Sequence, residues 1–351
     1  MLDPKYSITS SILSNMTEIA EVKAVVERSR VLPLNEAHLR RQAILRMAHT
    51  STSIEGNRLA QYEVGKVIEG KTVKAPQKDI QEVENYFKAL KLISELSALR
   101  RNITEKEIFK LHKIVIEGLV EKSKEGCYRS GDVYVIDELG NGTEKVRFKA
   151  PPAGKVPYLI KDLLLWLNNS SSGIHPIIRS GILHLQFVTI HPFTDGNGRV
   201  ARLLTQLQLY RDGWDFRKIL VLEDYYNLDR KSYYTAENFA QGANYDPSMD
   251  FTTWLEYFTE GFLIEAGKVL EQIQSIGFGR VSKRSEQIFL DAQEIKIMDF
   301  LTTTGRITSD DVAGILSLTK RSAQLKLKEL VYKKLINIQG KGPSTFYLLS
   351  K

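Results

Sequence analysis

The sequence predicts a mainly α-helical fold, interrupted once by a β-hairpin and closed by a C-terminal winged helix-turn-helix. Three observations carry that expectation. Apolar residues recur at helical spacing through the N-terminal third and again beyond residue 156. Between Gly126 and Pro157 the period drops to two. After Ser282 three short amphipathic segments lead into two strand-like runs.

The N-terminal helices fall at 16–30, 35–54 and 79–99, with Val83, Phe87, Leu90, Leu92 and Leu96 on the broadening apolar face of the third. Thr104 followed by Glu107, ahead of Ile108, Leu111 and Ile114, reads as a capping box opening a further helix that stops near Gly118. In the hairpin, Val133 and Val135 face Val146 and Phe148 across a turn marked by Asn141-Gly142. A lone hairpin buries little on its own, so it either packs on the helices or offers its edge to an extended peptide. Pro151, Pro152 and Pro157 end the strands, and helices resume at 156–168, 178–190 and 200–211.

With 351 residues the chain is long enough for two or three folding units. The reading divides it into an N-terminal helical region (1–95), a core with the hairpin near 128–150 (96–270), a linker (271–284) and the winged helix domain (285–351). Hydrophobic residues at 42% and charged residues at 26% are ordinary for a globular protein, and no apolar run approaches the roughly 20 residues of a membrane span. The start, MLDPKYSITSS, lacks a basic end and apolar stretch, so the expected location is the cytoplasm. A single cysteine, Cys127, leaves no internal disulfide and no cysteine-based zinc site, so any metal is expected to be held by oxygen.

The net charge of +7 is unevenly spread: residues 281–351 hold 12 Lys and Arg against 7 Asp and Glu. Helices at 294–301, 309–316 and 319–332 precede strands at 335–338 and 345–349 there, joined by a GKGP turn. In the third helix Ala323, Leu327, Leu330 and Val331 form the buried stripe and Lys320, Arg321, Gln324 and Lys328 the outer face. That face suits a DNA groove, or is the solvated side of a domain that dimerises or packs on the main body. Homodimer formation through the N-terminal helices stays open in the same way.

The run from His191 to Arg202, HPFTDGNGRVAR, concentrates the chemistry. Pro192 ends one apolar helix, and Val200, Leu203, Leu204 and Leu207 give the inward face of the next. Gly196 and Gly198 free the intervening backbone to aim successive amides and a helix N-terminus at one anion. Arg199 and Arg202 share a helix face and can both reach a phosphate chain. Asp195 supplies a hard carboxylate suited to Mg²⁺, and His191 an imidazole placed to take a proton from an attacking hydroxyl.

That run matches the HPFxDGNGRxxR signature at every defined position, and the chain is identified by it as resembling the Fic family. Gly126-Cys127-Tyr128-Arg129 and the Tyr233-Tyr234 pair extend the resemblance over roughly residues 45–265. The resemblance implies a helical core with a hairpin flap that moves AMP from ATP to a hydroxyl side chain of a target protein, or of the enzyme itself. Carried onto this sequence, it makes His191 the base, Asp195 the Mg²⁺ ligand and Phe193 the anchor of the loop. Gly196, Asn197 and Gly198 become the anion hole and Arg199 and Arg202 the phosphate clamp, with Val200 and Ala201 in the same nucleotide-binding stretch. Val133, Tyr134, Val135 and Ile136 become the target-docking edge, and Tyr234 and Gln241 fall near the adenine pocket. Val200-Ala201 departs from the usual small polar pair, and the stretch between Trp214 and Tyr233 keeps few familiar residues.

Upstream, Ser51-Thr52-Ser53-Ile54-Glu55-Gly56-Asn57 fits the family's inhibitory pattern [S/T]xxxE[G/N]. By itself it reads as a helix C-terminus closed by Gly56 with Glu55 at the surface. The resemblance implies instead that Glu55 pairs with Arg202 and denies ATP its γ-phosphate contact. Two alternatives stand beside AMP transfer: removal of AMP by the same site, with Glu55 placing water, and a DNA-bound regulator whose Fic domain senses nucleotide.

Overall fold

Thr9 starts the first helix where apolar periodicity gives no signal, its hydroxyl accepting from the Ile12 amide at 3.3 Å in the computed structural model. Residues 2–29, 31–99, 101–138, 144–277, 290–340, 342 and 345–350 are described. They form two units, Met1–Gly277 and Phe278–Lys351. No helix among the described residues is long and apolar enough to cross a membrane.

The first unit runs α1 (Ser10–Arg28), α2 (Pro33–Ile54), α3 (Gln61–Ile68), α4 (Gln77–Ala98), α5 (Glu105–Ile116), β1 (Tyr134–Glu138), β2 (Glu144–Lys149), α6 (Val156–Leu165), α7 (Pro176–Ile190), α8 (Asn197–Arg211), α9 (Leu222–Leu228), α10 (Arg230–Gln241) and α11 (Thr252–Gly277). Ile12, Ile19 and Val26, seven apart, are fully buried on the face that α1 lays on α11. α2 and α4 belong to the same core as α8, so the N-terminal helices fold with the centre of the molecule rather than apart from it. The Thr104 capping box forms, with the Thr104 amide donating to Glu107 Oε2 at 2.8 Å. α7 and α8 pack side by side at the centre, and nearly every residue of both is buried.

Three local differences from the sequence reading have physical causes. α1 begins at Ser10 rather than 16 because a side-chain cap, not an apolar stripe, starts it. α11 continues through Gly277, where a linker from 271 is expected, because Val269 and Ile273 still bury a face on the first unit. In the hairpin Val135 does pair with Phe148, but a bulge between Val135 and Ile136 sets Val146 opposite Ile136. The Asn141-Gly142 turn lies outside the described residues. The base of β2 is held from the other side, by Lys149 N–H donating to Ala243 O at 2.9 Å and Tyr245 N–H to Lys149 O at 3.1 Å.

The second unit consists of α12 (Ala292–Thr304), α13 (Ser309–Leu316), α14 (Lys320–Tyr332), β3 (Ile336–Gln339) and β4 (Phe346–Leu349). Capping boxes at Asp291 and Thr308 open α12 and α13; α13 spans the expected 309–316, with Thr308 as its N-cap and Asp311 closing the box. β3 and β4 pair antiparallel, and Ile307 bridges to Tyr347 beside them. Ala323, Leu327 and Leu330 are fully buried beneath α14 and Val331 partly so, while Lys320, Arg321, Gln324 and Lys328 are exposed. Part of the GKGP turn lies outside the described residues.

Candidate active site

The loop between α7 and α8 is built by backbone geometry that few residues tolerate. His191 ends α7 in the left-handed region (φ 50°), and Gly196 caps α8 in the same region (φ 80°). Asn197 closes the loop on itself: its Oδ1 accepts from the Phe193 amide and its Nδ2 donates to Phe193 O, both at 2.9 Å. Its side chain is thereby committed to shaping the loop, and what it offers a ligand is backbone. Val200 and Ala201 are fully buried in the core, so their contribution is also confined to the main chain.

Phe193 is fully buried, and His112 from α5 stacks flat on it with ring centroids 3.6 Å apart. His112 Nδ1 accepts from the Gly126 amide at 3.0 Å, which puts the proton on Nε2, and Nε2 donates to Asp195 O at 3.1 Å. Burial pushes the His112 pKa down to about 4, so it remains neutral in this role. Arg129, also buried, donates from Nε to His191 O at 2.8 Å and from its two terminal nitrogens to Gly131 O and Pro151 O. One guanidinium thus ties the end of α7 to the segments on both sides of the hairpin. In the sequence Arg129 stands out only as the last residue of Gly126-Cys127-Tyr128-Arg129, and His112 belongs to no motif.

His191 lies within hydrogen-bond distance of Val188 O through Nδ1, at 3.3 Å. A carbonyl only accepts, so Nδ1 carries the proton and Nε2 keeps its lone pair. Burial lowers the His191 pKa below its ordinary value, keeping the ring neutral at pH 7. Asp195 is half exposed; its Oδ1 accepts from the Gly196 amide at 2.5 Å and from Arg199 at 3.0 Å. Oδ2 has no protein donor among the described residues.

Both arginines of the run are buried and engaged. Arg202 donates to Ser51 Oγ at 2.7 Å, to Ser51 O at 3.0 Å and to Glu55 Oε1 at 2.8 Å. The C-terminal turn of α2 therefore grips it with a carbonyl, a hydroxyl and a carboxylate, with the helix dipole favouring the cation as well. Burial works against the charge on Arg202, but Glu55 together with Tyr233 and Tyr86 outweighs it, and its pKa stands well above the ordinary value. Arg199 pairs with Glu82 of α4 and with Asp195. The Glu55 carboxylate also lies over the start of α8: a Cβ placed on Gly198 would lie 2.7 Å from Glu55 Oε1. The first amides of α8 have no acceptor within the helix, so Glu55 occupies the place where a helix N-terminus accepts an anion.

Beside this anion place lies a cavity of about 130 Å³ lined by His191, Gly198, Arg202, Tyr234, Glu237 and Gln241, among others. Tyr234 donates to Ile54 O at 3.4 Å, and buried Gln241 donates to Asn238. The hairpin contributes Arg147 and Phe148 to the lining, both from β2. Of the expected docking edge Val133–Ile136, Tyr134 is exposed and β1 pairs only with β2 among the described residues. Structure thus brings Glu55, His191, Gly198, Arg202, Tyr234 and Gln241 to one cavity, while Arg199, next to Gly198, is held between Glu82 and Asp195.

Residues 102–209 match the sequence model described as Fic/DOC family. Over 227 residues the chain is 29% identical to the protein adenylyltransferase Fic of Drosophila virilis, covering 58% of this chain and 44% of that protein. Over 185 residues it is 35% identical to the protein adenylyltransferase fic-1 of Caenorhabditis elegans, covering 50% of this chain and 33% of that protein. The chain therefore spans less than half the length of these curated relatives. Among solved structures it is similar to a Fic family protein from Desulfovibrio desulfuricans, with a TM-score of 0.65 and 27% identity over 99% of this chain and 98% of the other. The fold is shared with C. elegans Fic-1 at a TM-score of 0.61 and 22% identity, over 75% of this chain and 72% of that one.

Proposed function

We propose, from the match of residues 102–209 to the Fic/DOC family model, that the chain is a Mg²⁺-dependent protein adenylyltransferase held back by its own Glu55. The observation that carries this is the Glu55 carboxylate paired with Arg202 over the N-terminus of α8, an acid standing where a nucleotide phosphate would sit. The reaction moves AMP: a target hydroxyl oxygen bonds to the α-phosphorus of ATP, the bond from that phosphorus to the β-bridging oxygen breaks, and pyrophosphate leaves. His191 Nε2 takes the hydroxyl proton, being neutral and unshared. The amides at the start of α8 and Arg202 neutralise phosphate charge once Glu55 moves aside.

Asp195 fits a magnesium ion, because a single exposed carboxylate with one oxygen open suits a cation that takes one or two protein ligands and otherwise waters and phosphates. When bound, that ion would neutralise charge on the phosphates. Tyr234 and Gln241 sit in the cavity where the base of the nucleotide would lie. The outer edge of β1, with no strand beside it among the described residues, would take the target segment by main-chain pairing.

Incubation with Mg²⁺ and α-labelled or γ-labelled ATP tests the reading. Label from the α-position alone establishes AMP transfer, and label from the γ-position establishes a kinase instead. Release of AMP from a labelled target, with no transfer, would favour hydrolytic removal of AMP by a water that attacks phosphorus and returns the target hydroxyl, for which Glu55 beside His191 in the same cavity is the motivating observation.

The second unit favours an added DNA contact. The turn from α13 to α14 spans three residues, as in helix-turn-helix pairs, and α14 presents Arg321, Gln324 and Lys328 to solvent, with Lys320 paired to Asp310 at 2.8 Å. Duplex DNA binding at low salt is expected, weakened at least tenfold by Arg321→Ala with Lys328→Ala and falling steeply as salt rises. An absence of binding at low salt would remove this role.

A further inference from the structure

Glu82 was not singled out by the sequence, yet it joins Arg199 of the 191–202 run to the segment that carries Glu55. It lies on α4, only 7% exposed, with its two oxygens engaged from opposite sides. Oε1 receives Arg199 Nη1. Oε2 receives Asn57 Nδ2 at 2.9 Å. Asn57 sits two residues beyond Glu55, and its side chain is fully used: Nδ2 also donates to Asp79 O at 2.9 Å, while Oδ1 accepts from the Leu59 amide at 3.1 Å. Arg199 in turn donates from its other terminal nitrogen to Asp195 at 3.0 Å. The chain of contacts therefore runs from the segment that carries Glu55, through Asn57, Glu82 and Arg199, to Asp195.

A carboxylate is the group this position requires. Donors approach both oxygens, from an amide on one side and a guanidinium on the other, and only a carboxylate accepts on both without offering a hydrogen. Glutamine in its place would satisfy Arg199 or Asn57 but set its own amide hydrogens against the other donor. Burial pushes the Glu82 pKa up and Arg199 opposes that shift, so the ionised form depends on its partner.

We propose that Glu82 is a positioning residue for nucleotide phosphate: it fixes the Arg199 guanidinium between α4 and the α8 loop, so that Arg199 meets phosphate from a set place when ATP enters. The proposal rests on the adenylyltransferase reading given above and adds to it a residue that acts only through Arg199. Without Glu82, Arg199 keeps Asp195 alone and swings with that exposed side chain.

The test is a double-mutant cycle in the Glu55→Gly background, read as the dissociation constants of ATP and of adenosine by calorimetry. Glu82→Gln and Arg199→Gln are each expected to weaken ATP at least tenfold while leaving adenosine within about twofold. The double variant is expected to bind ATP no more weakly than Arg199→Gln alone. Additive losses in the double variant, or ATP affinity unchanged by Glu82→Gln, would overturn the proposal, as would equal losses for ATP and adenosine, which mark a general collapse of the cavity. If Glu82→Gln melts below the assay temperature, Glu82→Asp takes its corner of the cycle. It is expected to weaken ATP at least threefold, an effect that should vanish once Arg199 is replaced, and persistence of the effect there overturns the proposal equally. The α-label assay on Glu55→Gly separates the two readings. Transfer with no coupling between positions 82 and 199 sinks only the role of Glu82, whereas a Glu55→Gly protein that neither binds ATP nor transfers label sinks both.

Discussion

Glu55→Gly is expected to raise AMP transfer by roughly 10- to 100-fold over the unmodified chain. The bond it removes, Glu55 Oε1 to Arg202 at 2.8 Å, is charge-assisted and partly buried, and such bonds contribute about 1.5–3 kcal/mol. Each 1.4 kcal/mol is a factor of ten in occupancy, which sets the range. Arg202 keeps both contacts to Ser51, so it stays in place and becomes available to phosphate. The same change leaves a buried cation without its counter-charge, so the variant should melt lower than the parent without nucleotide and recover more on adding ATP. Equal transfer by the two proteins, with no difference in their response to ATP, would remove the inhibitory role of Glu55.

His191→Asn, placed in the Glu55→Gly background, should lower transfer by about 10²- to 10⁴-fold while ATP affinity changes little, since general bases contribute on that scale. Asparagine is the informative replacement because position 191 has φ 50°, a left-handed conformation that asparagine adopts more readily than alanine. The parent of that pair should also show an acid limb in its pH profile. The active form is the neutral ring and burial lowers its pKa, so activity rises with pH through an inflection below 6.5 and is level at neutral pH. An inflection above 7, or transfer that survives the Asn substitution, would exclude His191 as the base.

The parts of the site that were legible in the sequence are those whose geometry is local. Two glycines, a proline and an asparagine within eight residues specify the α7–α8 loop by their own backbone preferences, and the pattern around Glu55 marks a helix end. Residues that hold the loop from outside were not legible in the same way. Glu82 meets Arg199 across 117 positions, and Arg129 meets His191 across 62, pairings that only the packing of α4 against α8, and of the segment before β1 against the end of α7, creates. His112 lies on the apolar face of α5, where a histidine looks like any buried polar residue until Phe193 is seen stacked on it. Periodicity marked the helices up to α8 apart from α3, but not α9, α10 or α11, and the hairpin register was missed because a bulge costs one residue of alternation and leaves no compositional mark. Likewise the first turn of α1 follows from one threonine, not from a stripe.

The position of Glu55 also decides how this protein would respond to nucleotide supply. A carboxylate fastened to α2 and already at the anion place is a tethered competitor, present at an effective concentration that dilution cannot lower. On the proposed function, incoming ATP would bind with its intrinsic affinity reduced by the fraction of time the acid is away, so ordinary swings in ATP would move occupancy only in proportion. A partner that bends or draws off the C-terminal turn of α2 removes the competitor outright. Such an enzyme would be governed by whatever touches that helix end far more than by the abundance of its own substrate.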